Sequence, residues 1–303
     1  MAFDFTASVI EVGTNSVKLL VAGVKNNKPV SLVYTRKITR LGESMGRTRI
    51  LTPQAIERTV RAIKDYEKQS LALGAEKIAI VATEALRVAE NSGEFKSRVE
   101  KDTGLTVEIL SGREEACASR KGALLDFENN NPVIILDIGG GSTEFAAEEW
   151  EVTIPMGAVS LTEKFFAHDP PESTEIQETR KFIRKKLKGA LKDRKLKKNV
   201  KLIGVGGTMT TTAGYIQKMD CFEPERIHKF KITRKKLKET IEKLIQLDII
   251  NRKKVLAIDP GRADIIPAGL LILEAAFNYF EINEIVVSIK NIIHGIFYEK
   301  FLE

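Results

Sequence analysis

At 303 residues, 43% apolar and 29% charged, the chain has ordinary globular composition and a length that favours two domains. No uncharged apolar run is long enough to span a bilayer, and the N-terminus lacks a basic-then-apolar signal pattern. Cys117 and Cys221 are the only cysteines and His168, His228 and His294 are scattered, which excludes a zinc or histidine-rich centre and points to a reducing cytoplasm. The net charge of +7 points to an anionic partner.

In chain order, residues 6–12 and 16–24 read as strands joined by Glu11-Val12-Gly13-Thr14-Asn15-Ser16, and Val30 to Thr39 as a third, making an antiparallel meander. Thr52-Pro53 opens a helix, a cap residue followed by proline at the first helical position, with Ile56, Val60, Ile63 and Tyr66 in helical period. Strands over Glu76–Thr83 and Leu105–Leu110 enclose a helix over Glu94–Asp102. Ser111–Leu125 reads as a further helix, and the polar linker 127–131 sets a domain boundary, giving domains 1–127 and 128–303.

After the linker the order begins again. Pro132–Leu136 is a short β-branched apolar run that stops at a carboxylate, Asp137. Strands follow over Glu144–Glu148 and Glu151–Pro155, then a helix from about Thr174 to Lys195 capped by Ser173 or Thr174. Val200–Val205 is a strand closing into Gly206-Gly207-Thr208 and a helix. Residues 233–248 and 262–280 read as helices and Glu284–Ser288 as a strand. Asn291–Phe301 is a last helix, one that can pack back on the first domain.

Much of the positive charge lies at Arg180, Lys181, Arg184, Lys185, Lys186, Lys188, Lys192, Arg194, Lys195, Lys197, Lys198 and Lys201. That run suits either the solvated face of a Lys/Glu-rich protein or a track for a polyanion. No aromatics are interleaved, which disfavours single-stranded nucleic acid.

Two stretches carry the chemistry. In Asp137-Ile138-Gly139-Gly140-Gly141-Ser142-Thr143-Glu144 the glycines let backbone N–H groups approach a ligand closely, and the flanking acids suit a hard cation beside a phosphate. The same stretch also fits a plain Gly-rich hairpin turn. Laying Glu11–Ser16 on Asp137–Ser142 gives a constant offset, 137 − 11 = 126, that matches acid to acid, Gly13 to Gly139 and Ser16 to Ser142. This predicts two similar βββαβ-type lobes across a cleft, each offering a turn to one phosphoanhydride ligand.

The ordered series Glu11–Val17, Arg40–Glu43, Ala82–Arg87, Ser111–Ala116, Asp137–Glu144, Pro155–Glu163, Gly204–Thr208 and Arg262–Asp264 resembles the exopolyphosphatase/guanosine-pentaphosphate phosphohydrolase (Ppx/GppA) family in its short two-domain form. The resemblance implies an α/β fold of two RNase H-like, actin-like ATPase domains with mixed sheets facing across a cleft. It implies Glu115 as the group that orients or deprotonates the attacking water. The alternative is that Glu114 and Glu115 only favour a helix N-terminus. It further implies Asp137, Glu144 and Glu11 as ligands of Mg²⁺ or Mn²⁺, with Glu144 also in the chemistry. Phosphates would be gripped at Gly13, Thr14, Asn15, Ser16, Gly139, Gly140, Gly141, Ser142, Thr143, Gly206, Gly207 and Thr208. Arg87 is a bidentate candidate, and Asp264 is as much a helix cap as a site residue.

Three departures stand out: Glu11 for the usual Asp, Lys18 for a frequent Arg, and Ser288–Gly295, which keeps only the first serine and last glycine of the family's segment. The implied partners are inorganic polyphosphate or guanosine penta- and tetraphosphate, with no specific nucleic acid, no membrane and a homodimer left open. Competing readings are a kinase-like phosphotransferase and a non-catalytic polyphosphate or alarmone sensor.

Overall fold

The computed structural model describes every residue except 1, 46–47, 128–131, 193 and 195–199. Most of the linker 127–131, and Lys195, Lys197 and Lys198 of the basic run, lie outside the described residues. The chain forms two compact units, one of residues 1–122 with 292–303 and one of residues 123–291.

In the first unit β1 (Phe5–Val12), β2 (Ser16–Lys25) and β3 (Lys28–Ile38) form the meander. Then come α1 (Pro53–Ala72), β4 (Lys77–Ala82), α2 (Glu84–Val88), α3 (Ser92–Thr103), β5 (Val107–Ile109) and α4 (Gly112–Leu124). The sheet order is β3-β2-β1-β4-β5, with β4 and β5 parallel to β1. Nearly every residue of β1 and β2 is buried because both faces are covered. Ile10, Val12, Leu19 and Val21 pack with Ile56, Val60 and Ile63 of α1. Ala7, Val9, Leu20 and Ala22 pack with Ile293, Ile296 and Phe297 of the C-terminal helix, Ile292–Phe301.

The second unit repeats the plan. It runs β6 (Val133–Ile138), β7 (Thr143–Ala146), β8 (Glu151–Ile154), α5 (Ala158–Phe165), α6 (Ser173–Leu191), β9 (Lys201–Val205) and α7 (Gly207–Ile216). There follow α8 (Pro224–Ile227), β10 (Lys231–Thr233), α9 (Arg234–Ile245), α10 (Ile249–Val255), α11 (Ile266–Tyr279) and β11 (Glu284–Val287). Its sheet reads β10-β11-β9-β6-β7-β8. Read from β8 inward, this is the order of the first sheet with β10 added antiparallel beyond β11. Ile134, Leu136 and Ile138 of β6 meet Ile183, Leu187 and Leu191 of α6 and the mainly apolar α11 in one core.

Several sequence expectations are corrected. The helix expected over 233–248 forms as α9, and a further helix that the sequence reading did not give, α10, follows it: Asp248 caps α10 by accepting from the N–H of Asn251 at 2.8 Å. The helix expected over 262–280 begins only at Ile266, after a 3₁₀ turn at Pro260–Arg262. Its cap position is Ile265, so Asp264 does not cap it. Helix α6 is capped by neither Ser173 nor Thr174; Glu172 takes the cap position, and Glu175 reaches back to accept the Glu172 N–H at 2.8 Å.

Candidate phosphate and metal site

The 126-residue repeat extends to atomic detail. In the first unit the N–H of Gly13 donates to Ser16 O at 3.0 Å; in the second, Gly139 donates to Ser142 O at 2.9 Å. A Cβ at either glycine would sit 3.3 or 3.1 Å from that same carbonyl oxygen, so a side chain there would require the turn to give by a few tenths of an ångström. Each turn is braced through its carbonyls. Thr39 and Arg40 donate to Asn15 O at 3.1 and 2.9 Å and Gly42 to Thr14 O at 2.9 Å. In the second unit Ala158 donates to Gly139 O at 2.9 Å, and Val159 and Ser160 to Gly140 O at 2.9 and 3.1 Å. A Cβ on Gly157 would lie 2.4 Å from the Gly140 carbonyl, which is why glycine precedes α5. With the carbonyls committed to the brace, the N–H groups of Thr14, Asn15, Gly140 and Gly141 find no backbone acceptor among the described residues. Asn15, 7% exposed, adds a buried side-chain Nδ2 that no acceptor among the described residues takes. Each turn is therefore a cluster of donors suited to an anion.

The acids flanking the turns differ in a way the offset makes plain. Glu11 stands opposite Lys18 in the β1–β2 register, and Asp137 opposite Glu144 in β6–β7. These are the same pair of positions, 126 apart. In the first unit Lys18 Nζ donates to Glu11 Oε2 at 2.6 Å, so the 4% exposed carboxylate is neutralised internally. In the second, two carboxylates face each other across the strands, with Glu144 only 3% exposed. Like charges directly opposite are destabilising, and a divalent cation is the simple way to reconcile them. Among the described residues no group of three or more His, Cys, Asp or Glu is arranged for a metal. The donor set is a carboxylate pair, which suits Mg²⁺ completed by water and phosphate oxygens and does not suit zinc.

Gly206 and Gly207 close the other side of Asp137. Gly206 has φ +85°, and a Cβ there would lie 2.5 Å from Asp137 Oδ1. Gly207 opens α7, and a Cβ on it would overlap the Arg262 guanidinium. Arg262 Nε lies 2.8 Å from Asp259 Oδ2, which also accepts from Thr211 Oγ1 at 3.0 Å. Sequence reasoning missed this placement, having taken Asp264 as the residue of interest. The signal available was Asp259-Pro260-Gly261-Arg262, a tight turn able to present an arginine. Thr208 (1% exposed) packs its hydroxyl near Gly269, and Thr143 Oγ1 donates to Met156 O at 2.7 Å. Both side chains hold the loops in shape.

In the first unit the Glu114/Glu115 ambiguity separates cleanly. Glu114 Oε2 accepts the Ser111 N–H at 2.7 Å while Ser111 Oγ accepts the Glu114 N–H at 3.2 Å, a reciprocal cap. The Ser111 backbone N–H, and a hydrogen bond from the Ser111 hydroxyl to the carboxyl, hold Glu114 below the usual range. Glu115 is not part of the cap. Its Oε2 accepts from Arg87 Nη1 at 2.8 Å, and Arg87 also donates to Leu110 O at 2.8 Å and, through Nη2, to Glu84. Burial opposes the Arg87 charge, but Glu115 and Glu84 outweigh it and raise its pKa above the ordinary arginine value. Glu84, unremarked in the sequence, is thus a second carboxylate on Arg87. In the divergent Ser288–Gly295 segment, Lys290 Nζ donates to Asp126 Oδ1 at 2.8 Å and Ser288 Oγ to Lys290 O at 3.0 Å.

Residues 20–303 match the model of the Ppx/GppA phosphatase family. The chain is 31% identical to Exopolyphosphatase 2 of Mycobacterium tuberculosis over 95% of its own length and 96% of that protein. It is 33% identical to the bifunctional 3-dehydroquinate synthase/phosphatase of Fusobacterium nucleatum over 94% of its length, but spans only 45% of that longer protein. The crystal structure of the Aquifex aeolicus Ppx/GppA family member superposes with a TM-score of 0.82 at 28% identity, covering 98% of each chain. The two mixed sheets are those of the actin-like ATPase fold. The chain belongs to the Ppx/GppA phosphatase family.

Proposed function

We propose that the chain is a cytoplasmic exopolyphosphatase that hydrolyses the terminal phosphoanhydride of inorganic polyphosphate with Mg²⁺. The observation that carries this reading is the facing carboxylate pair Asp137/Glu144 beside a turn with unclaimed N–H donors, duplicated in a second turn whose own acid is already neutralised. The donors of each turn suit a phosphate group, and the second turn adds a cation position beside it. The M. tuberculosis relative carries the same activity in its name.

Asp137 and Glu144 would hold the cation, which when bound neutralises charge on the phosphate oxygens. The turn amides and Asn15 Nδ2 would bind and orient phosphate groups. Glu115 would accept the proton of the attacking water. Its present partner Arg87 is a guanidinium fork that an incoming phosphate can engage, leaving Glu84 to keep the arginine in place while Glu115 is released.

The test is phosphate release from long-chain polyphosphate, and separately from guanosine pentaphosphate, for wild type and Glu115→Gln. Faster turnover of guanosine pentaphosphate would replace the substrate, and equal release by both proteins would remove the role given to Glu115.

A further inference from the structure

Helix α6 is pinned by one face and charged on the other. Thr179, Ile183, Leu187 and Leu191 are buried. Lys181, Arg184, Lys185 and Lys188 are exposed and fall within an arc of about 100°, at roughly 10 Å along the axis. None of these four has an ion-pair partner among the described residues. Other surface helices pair some of their cations within the helix: Arg61 with Glu57 on α1, Arg98 with Asp102 on α3, Lys238 with Glu242 on α9. Even on α6, Arg180 is tied to Glu274 by bonds of 2.7 and 3.1 Å. From Thr179 to Lys192 there is no acid at all. The stripe also places like charges at i,i+3 and i,i+4, an arrangement that weakens a helix. Stability does not explain it.

We propose that this face of α6 is an exosite for the polyphosphate chain beyond its reacting end, an assignment that rests on the exopolyphosphatase reading. The stripe belongs to the same unit as the Gly139–Thr143 turn. The first amides of α5 brace that turn, the segment 166–172 leads from α5 into α6, and α6 packs on β8 and α11. A base-free polyanion fits best. The nearest ring, Phe182, is only half exposed and lies under Lys164 Nζ at 4.0 Å and Lys186 Nζ at 5.6 Å, so no ring on the stripe is open to stack a nucleobase. The stripe has no apolar residues to enter a bilayer. Four cations on a flexible phosphate chain would retain it between successive cleavages, making the affinity depend on chain length.

The test replaces all four (Lys181→Gln, Arg184→Gln, Lys185→Gln, Lys188→Gln), with circular dichroism to confirm folding. For long-chain polyphosphate KM should rise about tenfold or more, and the log–log salt slope should fall by roughly 3, about 0.7 per neutralised phosphate. Turnover of inorganic triphosphate should stay within about twofold. An unchanged KM for long chains overturns the exosite, as does a single-stranded RNA that displaces the chain from wild type at equal phosphate concentration. Titration of long-chain polyphosphate in EDTA, where no turnover occurs, separates the two claims. If wild type binds the chain and the variant does not, the exosite stands even where wild type releases no phosphate and the hydrolase reading fails; equal binding removes the exosite.

Discussion

The repeat supplies its own control for the cation site: position 144 holds a glutamate where the first unit holds Lys18. Glu144→Lys therefore installs in the second hairpin a pair the fold already tolerates in the first. Without metal, wild type carries a cross-strand acid–acid pair, and opposite charges across strands contribute about 0.2–1 kcal/mol where like charges cost similarly. The swap should thus stabilise the metal-free protein by about 1 kcal/mol, a rise of roughly 2–4 °C in Tm for a unit of this size. Added Mg²⁺ reverses the comparison. At a hundredfold excess over Kd a bound cation contributes about 2.7 kcal/mol, so wild type should gain about 5–11 °C and E144K nothing. Hydrolysis should fall about a thousandfold, the equivalent of roughly 4 kcal/mol of charge stabilisation. Because aspartate is one methylene shorter than Glu11, the double variant D137E/E144K reproduces the first unit's pair and is the structural control. Differential scanning fluorimetry with and without Mg²⁺ reads all of this. E144K that folds and keeps the full Mg²⁺ response would refute the carboxylate-pair site; failure of D137E/E144K to fold would refute the equivalence of the hairpins.

Glu115→Gln keeps an acceptor for Arg87 but no base, so kcat should fall about 10²–10⁴-fold with KM little changed, measured by phosphate release. Gly206→Ala forces a side chain to φ +85° and against Asp137, costing about 1–3 kcal/mol by chemical denaturation and weakening Mg²⁺ stabilisation as well. The α6 start should show a pH window. A hydrogen bond to Glu175, with the charges of Glu172 and Glu175, raises the His168 pKa above 6.5, so that contribution is complete below 6.5 and lost as pH rises through the raised value. Glu175 is driven to about 2 despite desolvation, chiefly by the Glu172 N–H and then His168, so its contribution is complete above 4.5 and lost as pH falls toward 2. Protection of the Glu172 and Ala167 amides relative to their intrinsic exchange should be greatest between those limits, and His168→Ala should remove the upper one.

The turns were legible because glycine spacing and flanking acids are local, and the strands because runs such as Val133–Leu136 are buried on both faces. What the sequence hid is non-local or is supplied by a neighbour. The helix α5 is only 8 residues long, and its first N–H groups are claimed by the Gly139 and Gly140 carbonyls, which are placed only once the hairpin folds. Glu84 and Arg262 stood in quoted motifs with no role of their own, and each owes its place to a partner, Arg87 and Gly207 respectively. The separation of Glu114 from Glu115 likewise needed the cap at Ser111 to be seen.

The duplicated hairpin shows how one substitution can divide labour within a repeated fold. Backbone geometry is the same in both copies, so both turns keep the amides that face an anion. The charge at the seventh position after the acid is what reverses their electrostatics. A lysine there cancels the acid and leaves the first turn a neutral donor cluster, fit for phosphate without metal. A glutamate there doubles the negative charge and makes the second turn dependent on a cation, so that phosphate and metal must be bound together. On this account Lys18→Glu would cost more than the loss of one ion pair. It would give the first hairpin a carboxylate pair of its own, and a second Mg²⁺-dependent rise in Tm, absent from wild type, would be its signature.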